Sequence, residues 1–307
     1  MWNWRLLLAT GEARFADQIE RALFNGFLSG ISLVGDRFFY VNQLLSRGRD
    51  EVLSRTAAER LEWWRVACCP PNVMRMLASL NQYIATSDAN GVQVHQYASA
   101  GVAAGVARLS LATNYPWDGN VSLTVDETSG GAWRLALRVP AWTSDASVRV
   151  NGEVPNVPVV PGTYVALERA WRAGDRVELR LDVRPRLLAA NPLIESTGGC
   201  ATIQRGPLVY CIEQADHAAH DVLNVELDPS APLEANWQPE LLGGVVTVSA
   251  HGSARDRGAW RGQLYQPLES LQPAAELPVD VRAIPYYAWA NRGPGATRVW
   301  IPVNHAG

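Results

Sequence analysis

The chain changes its hydrophobic rhythm near residue 86. Before that point apolar positions recur at helical spacing. Phe15, Ile19, Ala22 and Leu23 predict one face of a helix over 13–26, with Phe24 and Phe27 beside it and Asn25-Gly26 as its stop. Val73, Met76, Leu77, Leu80 and Tyr83 predict a second helix over 72–83. Pro70-Pro71 suit its entry, where a missing N–H costs nothing. Between the two, Phe38-Phe39-Tyr40-Val41 reads as a short extended run leading into an arginine-rich loop from Gln43 to Arg55.

After residue 86 the period is two. Alternating runs at 92–97, 121–125 and 133–139, with shorter ones at 148–150, 164–167 and 177–181, predict strands. Asn151-Gly152 predicts a hairpin turn and Ala173-Gly174-Asp175 another. A second series follows Pro192, at 201–203, 208–212, 245–248, 282–287 and 297–301. Residues 215–238 are polar and irregular and are expected to form a long loop, and 291–295 a turn. Many short strands punctuated by Gly and Pro point to sandwiches or jelly rolls. No internal repeat of fixed period occurs.

Composition narrows the function classes. The 307 residues are 48% hydrophobic and 19% charged, which fits a globular protein of two or three domains. A formal charge of −3 offers no basic field for nucleic acid and no polybasic membrane anchor. All 27 basic residues are arginine, a bias read as that of a GC-rich bacterial genome. No apolar run reaches membrane-spanning length, and the apolar start Met1–Thr10 lacks the basic leader of a signal peptide. Four cysteines do not make a disulfide scaffold, so a reducing compartment, the bacterial cytoplasm, is expected.

Cys68-Cys69-Pro70-Pro71-Asn72 carries the strongest chemical signal. Adjacent cysteines strain any disulfide between them. At a helix entry the dipole and free N–H groups would favour thiolates. Metal binding and nucleophilic chemistry both fit, and so does a pair of packed thiols, since free cysteine behaves as a small hydrophobe. A lone pair supplies only two of the four ligands that zinc takes. Other candidates read as structural. Glu59 and Glu62 have helical spacing with Arg55, Arg60 and Arg65, which predicts surface pairing. Cys200 and Cys211 are expected as buried inert thiols, and His217 and His220 as part of a solvated loop. Trp117, Trp142 and Trp289 offer sugar platforms, but twelve tryptophans make packing the default. Asp118 and Asp126-Glu127 are turn carboxylates with no partner at glycosidase separation.

Trp63-Trp64-Arg65-Val66-Ala67-Cys68-Cys69-Pro70-Pro71-Asn72 resembles the cysteine motif of glycoside hydrolase family 127, the β-L-arabinofuranosidases. Trp2-Asn3-Trp4-Arg5-Leu6, Ala22–Gly26, Arg37–Asn42, Tyr115–Gly119, Arg205–Tyr210 and Ile284–Gly293 resemble further blocks of that family, in family order. Many members carry a cysteine where this chain has Val66. The resemblance implies an α+β multidomain fold: the closing helices of an (α/α)6 catalytic barrel over 1–85, then β-sandwich (jelly-roll-like) domains over 86–190 and 191–307. It implies a retaining glycosidase that releases L-arabinose from arabinofuranosides. Cys68 is then the nucleophile, Cys68 and Cys69 are zinc ligands, and Tyr40, otherwise a core aromatic, faces the substrate. The remaining zinc ligands, a Glu-x-Cys pair in the family, do not occur in these 307 residues. The acid/base glutamate and the first barrel helices with their substrate-binding histidines are likewise expected to lie outside it. The chain is accordingly expected to be a C-terminal portion, weakly active or inactive alone. Its partner would be an arabinose-containing oligosaccharide or glycoconjugate, and a homodimer is compatible with the resemblance. Two further readings stand beside it: a non-catalytic carbohydrate-binding β-sandwich module, and a structural zinc or redox protein built on Cys68-Cys69.

Overall fold

The structure, a computed structural model, describes residues 2–49, 57–64, 68–255, 260, 262–267, 269 and 275–304. Arg55, Arg65, Val66, Ala67 and His305 lie outside the described residues. The chain divides into two compact units, residues 1–27 with 65–184, and residues 28–64 with 185–307.

Two helices open the first unit, α1 (Trp2–Thr10) and α2 (Ala13–Arg21). The short strand β1 (Leu45–Arg47) belongs to the second unit, and α3 (Cys69–Leu77) returns the chain to the first. Nine strands follow there: β2 (Ala85–Asp88), β3 (Gly91–Val94), β4 (Ala100–Ala104), β5 (Ala107–Thr113), β6 (Asn120–Thr128), β7 (Ala132–Val139), β8 (Ala146–Val150), β9 (Thr163–Ala170) and β10 (Arg176–Leu181). They form two sheets, ordered β4-β5-β6-β10-β8 and β2-β3-β7-β9. One core joins both sheets, with Leu109, Leu123, Val125, Val148, Val177 and Leu179 from the first against Val94, Leu135, Leu137, Val165 and Leu167 from the second. This is the expected sandwich. Asn151 and Gly152 have φ of 52° and 86°, the positive pair that a tight hairpin turn requires. Parallel pairing of β3 with β7 depends on Gly91, where a Cβ would stand 1.9 Å from the Arg134 carbonyl oxygen.

The helices pack on one another and on Tyr83 through Leu7, Ala16 and Ile19, with Trp4, Phe15 and Met76 around them. Two expectations need correction here. The first helix ends at Arg21 and runs into a π-helical turn over Ala22–Phe27, whereas one continuous helix through Asn25 was expected. The second begins at Cys69, so its prolines sit inside the first turn, where they are tolerated. It stops at Leu77, and a 3-10 turn (Leu80–Tyr83) carries Tyr83 inward while Leu77 stays exposed. Among the described residues there are three α-helices of nine residues each, so no (α/α)6 barrel is present in them. None of these helices is long and apolar enough to cross a membrane.

The second unit is built on a ten-stranded sheet containing β1 and nine later strands: β11 (Pro185–Ala189), β12 (Cys200–Arg205), β13 (Leu208–Glu213), β14 (Val225–Leu227), β15 (Glu234–Gln238), β16 (Val245–Arg255), β17 (Glu276–Pro285), β18 (Ala296–Arg298) and β19 (Ile301–Pro302). The long β16 pairs with β14 and β15 as well as β17. The expected loop over 215–238 therefore contains two strands. β14 (Val-Glu-Leu) is too short to show a period and β15 is largely polar and exposed, and both are held by pairing with β16. Phe39, Cys211, Ile284, Tyr286, Trp289 and Val299 form a core cluster on this unit.

Candidate active site

Cys68 and Cys69 lie at the head of α3, with Cys68 as the cap residue and Cys69 the first helical residue. Their Sγ atoms are 3.6 Å apart, well beyond the roughly 2.05 Å of a disulfide, and both thiols are free. Cys68 is exposed and Cys69 half-buried. Asn72 donates from Nδ2 to the Cys68 carbonyl at 2.8 Å and accepts from Arg75 Nη1 at 2.8 Å. This Arg75–Asn72–Cys68 relay fixes the backbone that presents the pair. Met76, one turn on, packs against the α1–α2 cluster and sets the helix in the unit.

The expected thiolate at Cys69 is not held by the helix dipole alone. Burial, and then the neighbouring Cys68 thiol, push the Cys69 thiol up from its ordinary value. A nearby cation is what would reverse that balance. In kind, two thiols suit zinc; in number they fall short, since no group of three His, Cys, Asp or Glu side chains placed to hold a metal occurs among the described residues.

Tyr40 belongs to the other unit. It is half-buried, and its ring lies 5.7 Å from that of Trp64, whose Nε1 donates to the Phe38 carbonyl at 3.0 Å. Glu62 pairs with Arg37 at 3.1 Å on the surface. Arg60 overturns its surface assignment, being only 4% exposed. It donates from Nη1 to Trp289 O (2.7 Å) and Ala290 O (3.2 Å), and from Nη2 to Ser29 O (2.9 Å). Its guanidinium lies 4.6 Å from the Phe39 ring centre. Trp289 stacks on Phe39 at 4.4 Å and is buried, which removes it as a sugar platform. His217 is buried too, bonded through Nδ1 to Glu213 O at 2.8 Å and through Nε2 to the Arg282 N–H at 3.2 Å. Cys211 is buried as expected, while Cys200 is only half-buried.

A polar cluster in the first unit has no counterpart in the sequence reading. Arg138 of β7 is fully buried and donates to Glu20 Oε1 and Asp17 Oδ1 of α2, each at 2.5 Å. Trp142 Nε1 donates to Glu20 Oε2 at 2.8 Å, and the Tyr115 hydroxyl donates to Glu20 Oε1. Burial works against the charge of Arg138, but the Glu20 and Asp17 carboxylates outweigh it and hold the guanidinium protonated well above its ordinary range. The sequence carries no signal for it: residues 133–139 alternate in type to the end of β7, and only the fold buries 136–139 on both faces.

The chain matches three domain families: "Beta-L-arabinofuranosidase, GH127 catalytic domain" over 1–82, "Beta-L-arabinofuranosidase, GH127 middle domain" over 91–183, and "Glycoside hydrolase family 127 C-terminal domain" over 185–302. It is 35% identical to a non-reducing end β-L-arabinofuranosidase of Bifidobacterium longum subsp. longum, across 98% of this chain and 47% of that protein. Among solved structures it resembles a GH127 β-L-arabinofuranosidase from Geobacillus stearothermophilus T6 (TM-score 0.90, 37% identity, 99% of this chain, 48% of that one). A second GH127 β-arabinofuranosidase structure gives a TM-score of 0.85 at 32% identity, over 98% of this chain and 48% of that one. The chain thus spans about half the length of these relatives.

Proposed function

This chain belongs to glycoside hydrolase family 127, and from that premise we propose that it supplies the nucleophile for retaining hydrolysis of a terminal β-L-arabinofuranosyl unit. The observation that carries this reading is the exposed thiol of Cys68 at the head of α3, inside the residues matched to the family's catalytic domain. Cys68 Sγ attacks the anomeric carbon as the bond to the leaving oxygen breaks, and that oxygen takes a proton from an acid. Water, giving a proton to the conjugate base of that acid, then attacks the same carbon, the C–S bond breaks, and the thiolate is restored with net retention. Arg75 and Asn72 hold the Cys68 backbone through both steps. Tyr40 is proposed to face the sugar.

Cys68 and Cys69 are proposed as two zinc ligands. Bound there, zinc would supply positive charge beside the two sulfurs and favour their thiolate forms. The further ligands and the acid are assigned to residues outside these 307, because no Glu-x-Cys sequence occurs among them. The isolated chain is therefore expected to hydrolyse alkyl arabinofuranosides slowly or not at all. A dinitrophenyl β-L-arabinofuranoside tests the nucleophile separately, since its leaving group departs without an acid. With zinc supplied, a burst of dinitrophenolate is expected from the native chain and none from Cys68→Ala. An undiminished burst in Cys68→Ala would remove Cys68 from the reaction.

A further inference from the structure

The first unit contains a cleft of about 520 Å³ with no part in the chemistry above. It opens where the C-terminal end of α1 overhangs the β2–β3 hairpin and the outer face of β7. Leu8 and Thr10 form one wall, Asp88 and Asn90 the other, and Gln93 and Arg134 are part of the lining. The volume lies within the range of about 300–1,000 Å³ usual for small-molecule sites.

The charges in this cleft are unspent. Arg134 is exposed; its backbone N–H donates to Asn90 O at 2.9 Å, and its guanidinium has no hydrogen bond or ion pair among the described residues. Glu168 faces it across the β7–β9 register without pairing to it. Asp88 is occupied only through Oδ1, which accepts the Asn90 and Gly91 N–H groups at 2.7 and 3.1 Å. Gln93 is pinned by donating to Gly11 O at 3.1 Å, which ties the floor of the cleft to the α1–α2 turn. The cleft thus presents a fork of guanidinium donors in a concave wall, a carboxylate that accepts hydroxyl donors, and amide and hydroxyl groups between them.

We propose that this cleft is a binding site for an acidic sugar unit, a uronic-acid residue of a polysaccharide. Its carboxylate takes the bidentate geometry that Arg134 offers. Its ring hydroxyls donate to Asp88 and bond to Asn90, while Leu8 covers its apolar face. The choice of a carbohydrate rests on the glycosidase reading; the choice of an acidic one rests on Arg134. The site would hold an acidic chain to the enzyme.

The test is calorimetric titration of the whole Cys68→Ser chain, which cannot turn substrate over, with tri-galacturonic acid and with neutral arabinotriose. Saturable binding of the acidic trimer is expected, at least about tenfold tighter than the neutral one. Arg134→Met should weaken the acidic trimer about tenfold and leave the neutral one unchanged. Arg134 is exposed, so an unaltered near-ultraviolet circular dichroism spectrum confirms that the variant is folded. Equal binding of the two trimers, undiminished binding by Arg134→Met, or no saturable binding of the acidic trimer overturns the site. Failure of the glycosidase reading registers elsewhere, in the Cys68-dependent burst.

Discussion

The two units each bury an arginine to fasten a segment from the first quarter of the chain, and they neutralise it in opposite ways. In the first unit Arg138 of β7 reaches α2 and meets two carboxylates, with Tyr115 and Trp142 completing the hydrogen bonds to Glu20. In the second, Arg60 reaches three backbone carbonyls and lies over two aromatic rings, with no ion pair among the described residues. Burial pushes the Arg60 guanidinium down to about 10, whereas Arg138 is held up by its partners. The lesson is energetic. A charge pair buried with its hydrogen bonds is costly to break by halves, because the survivor stays buried and unpaired. A guanidinium held by carbonyls leaves only neutral groups behind.

The sharpest way to test that contrast is Arg138→Met. It strands Glu20 and Asp17, and a loss of about 3–5 kcal/mol in urea unfolding is expected. A loss below about 1 kcal/mol would mean that the cluster is not closed as described. The next effect is in pH. His95 is buried, bonded to Tyr164 Oη at 2.6 Å and Thr86 Oγ1 at 2.9 Å. Burial, then the charge of Arg138, lower its pKa to about 4. The unfolded chain takes up a proton near 6.5, so this contribution is intact above pH 6.5 and is lost as pH falls towards 4. The loss is on the order of 3 kcal/mol. Unfolding at pH 7 and pH 4.5 should show it, and His95→Gln should flatten that dependence. Arg60→Met gives the smallest change, about 2 kcal/mol, because Ser29 O keeps the Trp289 Nε1 donor and Trp289 O keeps Asn291 Nδ2. If it matched Arg138→Met, the distinction drawn between the two anchors would fail.

These anchors also show what a sequence reveals. The strands of the sandwich are legible because one face of each is buried, so Leu123, Val125, Val177 and Leu179 alternate with exposed or half-buried neighbours. Burial stops alternating in β7 from Ala136 onward, where α2 covers the second face and Arg138 becomes a core residue. Nothing local distinguishes that arginine from an outward-facing one; its partners are 118 and 121 residues away. Arg60 is hidden for the same reason, its acceptors Ser29 and Trp289 being 31 and 229 residues distant. The cysteine pair is legible because adjacency itself brings two thiols together, and its helix follows from local spacing. Its chemical state is not legible, since the burial that raises the Cys69 thiol is set by the folded surroundings. The acidic-sugar cleft escapes for a further reason: α1, the β2–β3 hairpin and β7 contribute to it from three parts of the chain.

The nucleophile assignment is the central claim, and peptide mapping tests it most directly. The native chain is incubated with zinc and the dinitrophenyl arabinofuranoside, quenched in acid, digested and read by mass spectrometry. A single pentosyl adduct on the peptide carrying Cys68 is the predicted result, absent from Cys68→Ala. An adduct on another residue, or dinitrophenolate release with Cys68 unmodified at every time point, would contradict it.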